Sequence, residues 1–320
     1  MSTRLRASGF WLKPWLFSRT LESGETKMCG DGNHQGFIAD TSVTRRSVLL
    51  SISAVAAAGG VATPAFAEDA GARPVTEKDV AVKTADGSSD AALFYPSGKG
   101  RWPAVLMWPD ILGLRPVFRE MGKRLAAQGY VVLVPNPYYR SKKAPVVEGA
   151  FDFNNKEQMN QISAFRNALS DEMVDRDSAA YVTFLDAQPQ TDKRRKAAVQ
   201  GYCMSGPISF RTAAVRPDRI GAVATFHPGA LVTDKPSSPH LLIPKTRAAF
   251  LVLIARNDAE RMPNEEGTLK SAFAAAHRTS KVEVYPANHG WCVAGSQTYD
   301  ESQAERAWAE LLPFYRASLG

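Results

Sequence analysis

Cysteine is scarce in this chain. Three cysteines in 320 residues, Cys29, Cys203 and Cys292, are too few for a disulfide scaffold. None pairs with another at Cys-x-x-Cys spacing, so the pattern excludes a structural zinc site and no metal is expected. No strand-like run leads into Gly-x-Gly-x-x-Gly, which argues against a dinucleotide-binding fold, and no cofactor is expected. Basic charge is thinner than the total suggests. The net charge is +7, but residues 1–67 hold 7 Lys/Arg against 4 Asp/Glu, leaving 32 against 28 and a net of +4 for the remainder. The basic cluster Lys193-Arg194-Arg195-Lys196 stands alone, and no nucleic-acid partner is expected.

Long apolar runs are missing too. The uncharged stretch from Ser47 to Ala67 spends positions on Ser51, Ser53, Gly59, Gly60 and Pro64, whereas a membrane span needs about 20 apolar residues. It opens on Thr44-Arg45-Arg46-Ser47-Val48-Leu49-Leu50 and closes on Ala65-Phe66-Ala67. A twin arginine, a modest apolar region and an Ala-x-Ala end, in that order, resemble a twin-arginine export signal cleaved after Ala67. On this reading residues 1–67 are an N-terminal extension and signal peptide, and residues 68–320 form one domain. The Tat export machinery is then a partner, and the mature chain works in the periplasm or outside the cell.

What is present is a hydrophobic content of 44%, enough for a sizeable core, and a regular alternation of elements. Residues 79–84 and 91–95, separated by Asp86-Gly87-Ser88-Ser89, read as a hairpin. Residues 103–108 and 130–135 are continuous apolar runs, the pattern of strands buried on both faces, and a helical period over 115–128 lies between them. Further strands are expected at 197–202, 220–226, 249–255 and 281–285, and further helices at 157–169, 171–185, 205–215, 265–277 and 303–318. About eight strands with helices between them predict an α/β fold of the α/β-hydrolase layout, mostly parallel and flanked by helices.

Gly201-Tyr202-Cys203-Met204-Ser205-Gly206 joins one of these strands to a helix. A sharp strand-to-helix turn of the form Gly-x-nucleophile-x-small lifts a nucleophile above the sheet, and here the nucleophile is a thiol. The order nucleophile, acid, histidine continues downstream. Asp258 follows the strand ending at Ala255, and His289 follows the strand ending at Tyr285. A histidine is needed to take the thiol's proton, and a carboxylate to hold the imidazole in one tautomer. His227 also follows a strand but precedes Asp258 in the chain, and is assigned a structural role.

These residues, with Pro109-Asp110-Ile111-Leu112-Gly113, Pro137-Tyr138-Tyr139-Arg140 and Asn288-His289-Gly290, resemble the dienelactone hydrolase family, also called carboxymethylenebutenolidases. The resemblance implies a hydrolase that cleaves a small-molecule lactone or ester through a Cys203-His289-Asp258 triad. It implies that Asp110 is the acid contacting the resting thiol and that Arg140 binds a substrate carboxylate. The backbone N–H groups of Met204 and Ile111 are the expected oxyanion donors. Two positions depart from the family pattern: Ser205 stands where glycine is usual, and Val293 where a second substrate-binding arginine is found. The protein is expected to act as a monomer. Two other readings remain open: a general carboxylesterase or thioesterase, and a binding protein in which Cys203 and Cys292 form a disulfide. The pocket is shaped by the irregular segment 141–156 together with Trp108, Tyr138, Tyr139, Phe151, Phe153 and Trp291, any of which is equally suited to the core.

Overall fold

The computed structural model describes residues 72–320. The twin-arginine segment and the boundary expected at residue 67 lie outside the described residues. The fold opens with an antiparallel pair, β1 (Val75–Thr84) and β2 (Gly87–Pro96). Then come β3 (Ala104–Trp108), β4 (Val131–Pro135), β5 (Ala197–Tyr202), β6 (Ile220–Phe226), β7 (Ala249–Ala255) and β8 (Ser280–Tyr285). Every residue of β3, β4 and β5 is buried, which is why these strands read as continuous apolar runs rather than alternating ones.

Helices α1 (Pro116–Ala127), α2 (Lys156–Asn167), α3 (Asp171–Ala187), α4 (Ser205–Val215), α5 (Arg256–Arg261), α6 (Glu265–Ala275) and α7 (Glu301–Ser318) link the strands. Their ends follow local chemistry. Pro116 begins α1 with its ring-fixed φ, and Gly129, at φ +94°, turns the chain out just beyond it. Asn155, Ser170 and Asp300 cap α2, α3 and α7 by accepting from backbone N–H groups of the first turn.

Alternate residues of each strand face opposite sides of the sheet, so β3 sends Leu106 and Trp108 one way and Val105 and Met107 the other. On the first side they meet Tyr181 of α3, Phe210 of α4 and Phe273 of α6; on the second they meet Phe118 of α1 and Leu311 and Tyr315 of α7. Each fully buried phenylalanine of this kind stabilises the fold by about 1.5–3 kcal/mol. Helix α2 belongs to neither layer; its Ile162 packs in a third cluster with Leu112, Tyr138, Val146, Phe151 and Met204.

The sheet order is β1-β2-β4-β3-β5-β6-β7-β8. β2 runs antiparallel to β4, and all pairings from β4 onward are parallel. The carboxyl ends of β3, β5, β6, β7 and β8 therefore lie along one edge of the sheet, and Asp110, Cys203, His227, Asp258 and His289 all leave the strands there. Two elements were not expected from the sequence: α5 and a 3-10 helix over Pro239–Lys245. Both are too short to show a helical period.

Candidate active site

Cys203 stands between β5 and α4 with φ at +53°, in the left-handed region that a residue with a Cβ seldom adopts. Neighbours on every side hold it there. Its N–H donates to the Phe226 carbonyl at 3.2 Å, and its own carbonyl accepts from Gly206 at 3.1 Å and Gly229 at 2.7 Å. A Cβ added at Gly201 would collide with the Ser205 carbonyl and Ser209 Oγ, and one added at Gly206 would collide with Pro228. The two glycines of the hexamer are thus required by close approach. Ser205 is more than a small substitute for glycine: its buried hydroxyl donates to the Pro109 carbonyl and ties the turn to the loop after β3.

Asp258 lies in the first turn of α5, where a negative charge favours the helix N-terminus. Its carboxylate meets His289 Nδ1 at 2.6 Å through Oδ2 and accepts from Arg261 through Oδ1. Burial alone would raise the Asp258 carboxyl, but attraction to His289 and Arg261 outweighs it and holds the group below the usual range. The loop carrying His289 is fixed from both sides, since its N–H donates to Asn257 Oδ1 at 2.8 Å and its carbonyl accepts from Thr298 Oγ1 at 2.6 Å. The Cys203 sulfur lies near enough to the His289 ring to act on its charge. Burial works against the imidazolium, yet the Cys203 sulfur and Asp258 together push His289 well above its ordinary value. The structure thus brings near one another the three residues expected to act together, thiol, imidazole and carboxylate. Such a chain can move a proton off sulfur and keep the resulting cation paired.

Beside it lies His227, buried, with φ +37° and both ring nitrogens lacking a protein partner. Its ring meets those of His289 at 4.7 Å and Trp291 at 5.3 Å between centroids, both edge to face. Burial and the neighbouring His289 keep it neutral by pushing its protonation well below the ordinary range.

The loop after β3 is rigid for reasons that sequence spacing did not reveal. Asp110 accepts from the Leu112 N–H at 3.0 Å and takes a two-pronged ion pair from Arg115, at 2.6 and 2.8 Å, with both residues buried. Tyr138 donates its hydroxyl to the Ile111 carbonyl at 2.8 Å and lies 3.2 Å from Met204 Sδ. Among the described residues neither the Ile111 nor the Met204 N–H donates to a protein acceptor, and Met204 opens α4. Asp110, expected to contact the thiol, has its carboxylate paired with Arg115 and bonded to its own loop, where it helps to hold the Ile111 peptide.

Arg140, expected to bind a substrate carboxylate, is engaged in a similar way. Its guanidinium donates to Asp177 Oδ2 and Oδ1 at 2.8 Å each and to Asp86 Oδ2 at 2.6 and 3.2 Å, and it stacks on Tyr139. Every nitrogen already has an acid, and a substrate carboxylate would have to displace one of them. The disulfide reading fails, since Cys203 and Cys292 are both free thiols. Of the aromatic residues left unplaced by sequence, Trp108 and Trp291 lie in the core layers, Tyr139 hydrogen-bonds Asp177, and Tyr138, Phe151 and Phe153 gather beside Cys203.

The sequence profile of the dienelactone hydrolase family matches residues 89–319. The chain belongs to that family. Members are hydrolases, and this protein is one. A protein of Methylorubrum extorquens named "Putative carboxymethylenebutenolidase" is 26% identical over 300 residues, covering 89% of this chain and 97% of that one. The carboxymethylenebutenolidase of Pseudomonas sp. strain P51 is 33% identical over 129 residues, covering 40% of this chain and 51% of its own. Among solved structures, a dienelactone hydrolase-like promiscuous phosphotriesterase from metagenomic libraries superposes with a TM-score of 0.62 at 20% identity, covering 77% of this chain and 99% of that one. At that identity the likeness carries the fold, the eight-stranded sheet and its helices.

Proposed function

We propose that this hydrolase cleaves a lactone or ester by covalent catalysis at Cys203. The observation that carries the reading is the His289 ring, bonded at Nδ1 to Asp258 and raised in basicity by the nearby Cys203 sulfur, which stands at a strained strand-to-helix turn. His289 holds the proton drawn from the thiol, and the sulfur attacks the carbonyl carbon. The carbonyl oxygen gains the electron pair in a site where the Met204 and Ile111 N–H groups lack protein acceptors, so both can stabilise it. Collapse breaks the bond to the alkoxy oxygen, which leaves as the alcohol with the proton from His289. The thioester on Cys203 is then attacked by water, with His289 as base, releasing the acid and restoring the thiol.

Arg140 favours an esterase in the broad sense over an enzyme for dienelactone carboxylates, because its charge is already met by Asp86 and Asp177. The twin-arginine reading of Arg45, Arg46 and Ala65-Phe66-Ala67 supports export with the Tat machinery as partner and a mature protein acting outside the cytoplasm.

Replacement of Cys203 by alanine tests the reading. A folded Cys203→Ala protein should lose about a thousandfold or more in kcat/KM on activated esters. Retention of the parent rate contradicts it.

A further inference from the structure

The surface around Cys203 is apolar to a degree that the hydrolase reading alone does not require. Cys203 packs against the cluster of Leu112, Tyr138, Val146, Phe151, Ile162 and Met204, and so do Ile111, Val147, Phe153, Met159 and Phe165. The first set is buried. The second set is only partly covered, which leaves apolar surface from three separate segments beside the one sulfur. Helix α2 contributes Met159, Ile162 and Phe165 at helical spacing, yet only Ile162 is buried along its whole length. An apolar helix face left open beside a nucleophile is a place where a ligand recovers the free energy of burial.

Most of the charges nearby are already paired. Asp110 and Arg115 neutralise each other in a buried two-pronged pair. Arg140 is held by Asp177 and Asp86, and Lys142 is turned to the Val146 carbonyl and Glu148. Arg166, half-buried in the last turn of α2 beside Phe165, is the exception: its charge reaches Tyr138, and it is the cation a carboxylate would seek, so the choice between a charged and an apolar acyl group turns on it.

Resting on the Cys203 reading above, we propose that the acyl group taken up by Cys203 is uncharged and apolar, an alkyl or aryl chain seated against Ile111, Val147, Phe153, Met159 and Phe165. Selectivity then comes from the length and shape of that chain, with the carboxylate of a dicarboxylic monoester a liability.

The test is a series of p-nitrophenyl acetate, butyrate and hexanoate with p-nitrophenyl hemiglutarate, assayed on the full chain. Between acetate and hexanoate kcat/KM should rise about threefold per methylene, the ratio expected when each CH₂ is largely buried. The hemiglutarate should fall about tenfold or more below hexanoate, because its charge must be desolvated. Phe165→Ala and, separately, Phe153→Ala should flatten the series while circular dichroism reports a folded protein. A flat series in the parent overturns the proposal. So does a hemiglutarate turned over faster than hexanoate, with that advantage lost in Arg166→Gln. Cys203→Ala run on the same panel separates the two readings: if it keeps the chain-length series at the parent rate, the nucleophile assignment fails while the apolar subsite stands.

Discussion

The rings of His227 and His289 meet edge to face with centroids 4.7 Å apart, and their surroundings push their protonation in opposite directions. His289 gains more from the Cys203 sulfur and Asp258 than burial takes away, whereas for His227 burial and the neighbouring His289 outweigh its own backbone. In a proton titration followed by NMR, the His289 ring should lose its proton above pH 6.5 and His227 should remain neutral well below it. In Cys203→Ser the His289 midpoint should move down, because the sulfur is a leading cause of the shift. The signs for stability follow. The His289 contribution is complete below about pH 6.5 and fades as pH rises through the folded value; that of His227 is present above about 6.5 and fades on acidification. Equal midpoints for the two rings would contradict the arrangement.

Glu265 gives a second pH dependence. Its Oε1 accepts from the N–H groups of Leu231 and Val232 at 2.6 and 3.2 Å, in the chain just beyond the Gly229 that braces Cys203. Burial, aided by repulsion from Asp258, outweighs those two bonds and pushes the carboxyl up to about 7. The folded protein therefore holds a proton that the unfolded chain has released, and stability declines as pH rises from about 4.5 to about 7, by roughly 3 kcal/mol at most. Denaturant unfolding at pH 5 and pH 8 should show this loss in the parent and its absence in Glu265→Gln. An unchanged pH dependence in the variant would contradict it.

Arg140 should matter for stability rather than for substrate choice. Asp177 is buried and takes two hydrogen bonds from Arg140, with a third from Tyr139 at 2.9 Å. Arg140→Ala leaves that carboxylate with the tyrosine alone, and the loss should be about 2–4 kcal/mol in denaturant unfolding. The ratio of rates on acidic and neutral esters should stay at the parent value. A changed ratio with intact stability would contradict this and support the carboxylate-anchor role.

Much of the fold is legible in the chain because it is written locally. The apolar runs of β3, β4 and β7 are strands buried on both faces, and the order Cys203, Asp258, His289 after β5, β7 and β8 is a one-dimensional trace of one edge of the sheet. What escaped is the choice of partner. Arg140 is separated by 54 residues from Asp86 and by 37 from Asp177, and nothing in the local pattern links them. Asp110 is a nearer case: Arg115 lies 5 residues on, at the start of α1, but only the tight turn between them brings the two together. Ser205 read as a tolerated small residue because a hydroxyl's acceptor, here Pro109 from 96 residues away, cannot be seen in the sequence.

The central claim is a thioester on Cys203, and rapid-quench mass spectrometry tests it most directly. Full-length protein mixed with a p-nitrophenyl ester and quenched in acid should gain the mass of the acyl group within the first turnover. That mass should map to the peptide containing Cys203 and should leave on treatment with neutral hydroxylamine. An enzyme that turns over the ester with no acyl mass on Cys203, and whose Cys203→Ala form keeps the parent rate, would contradict the account.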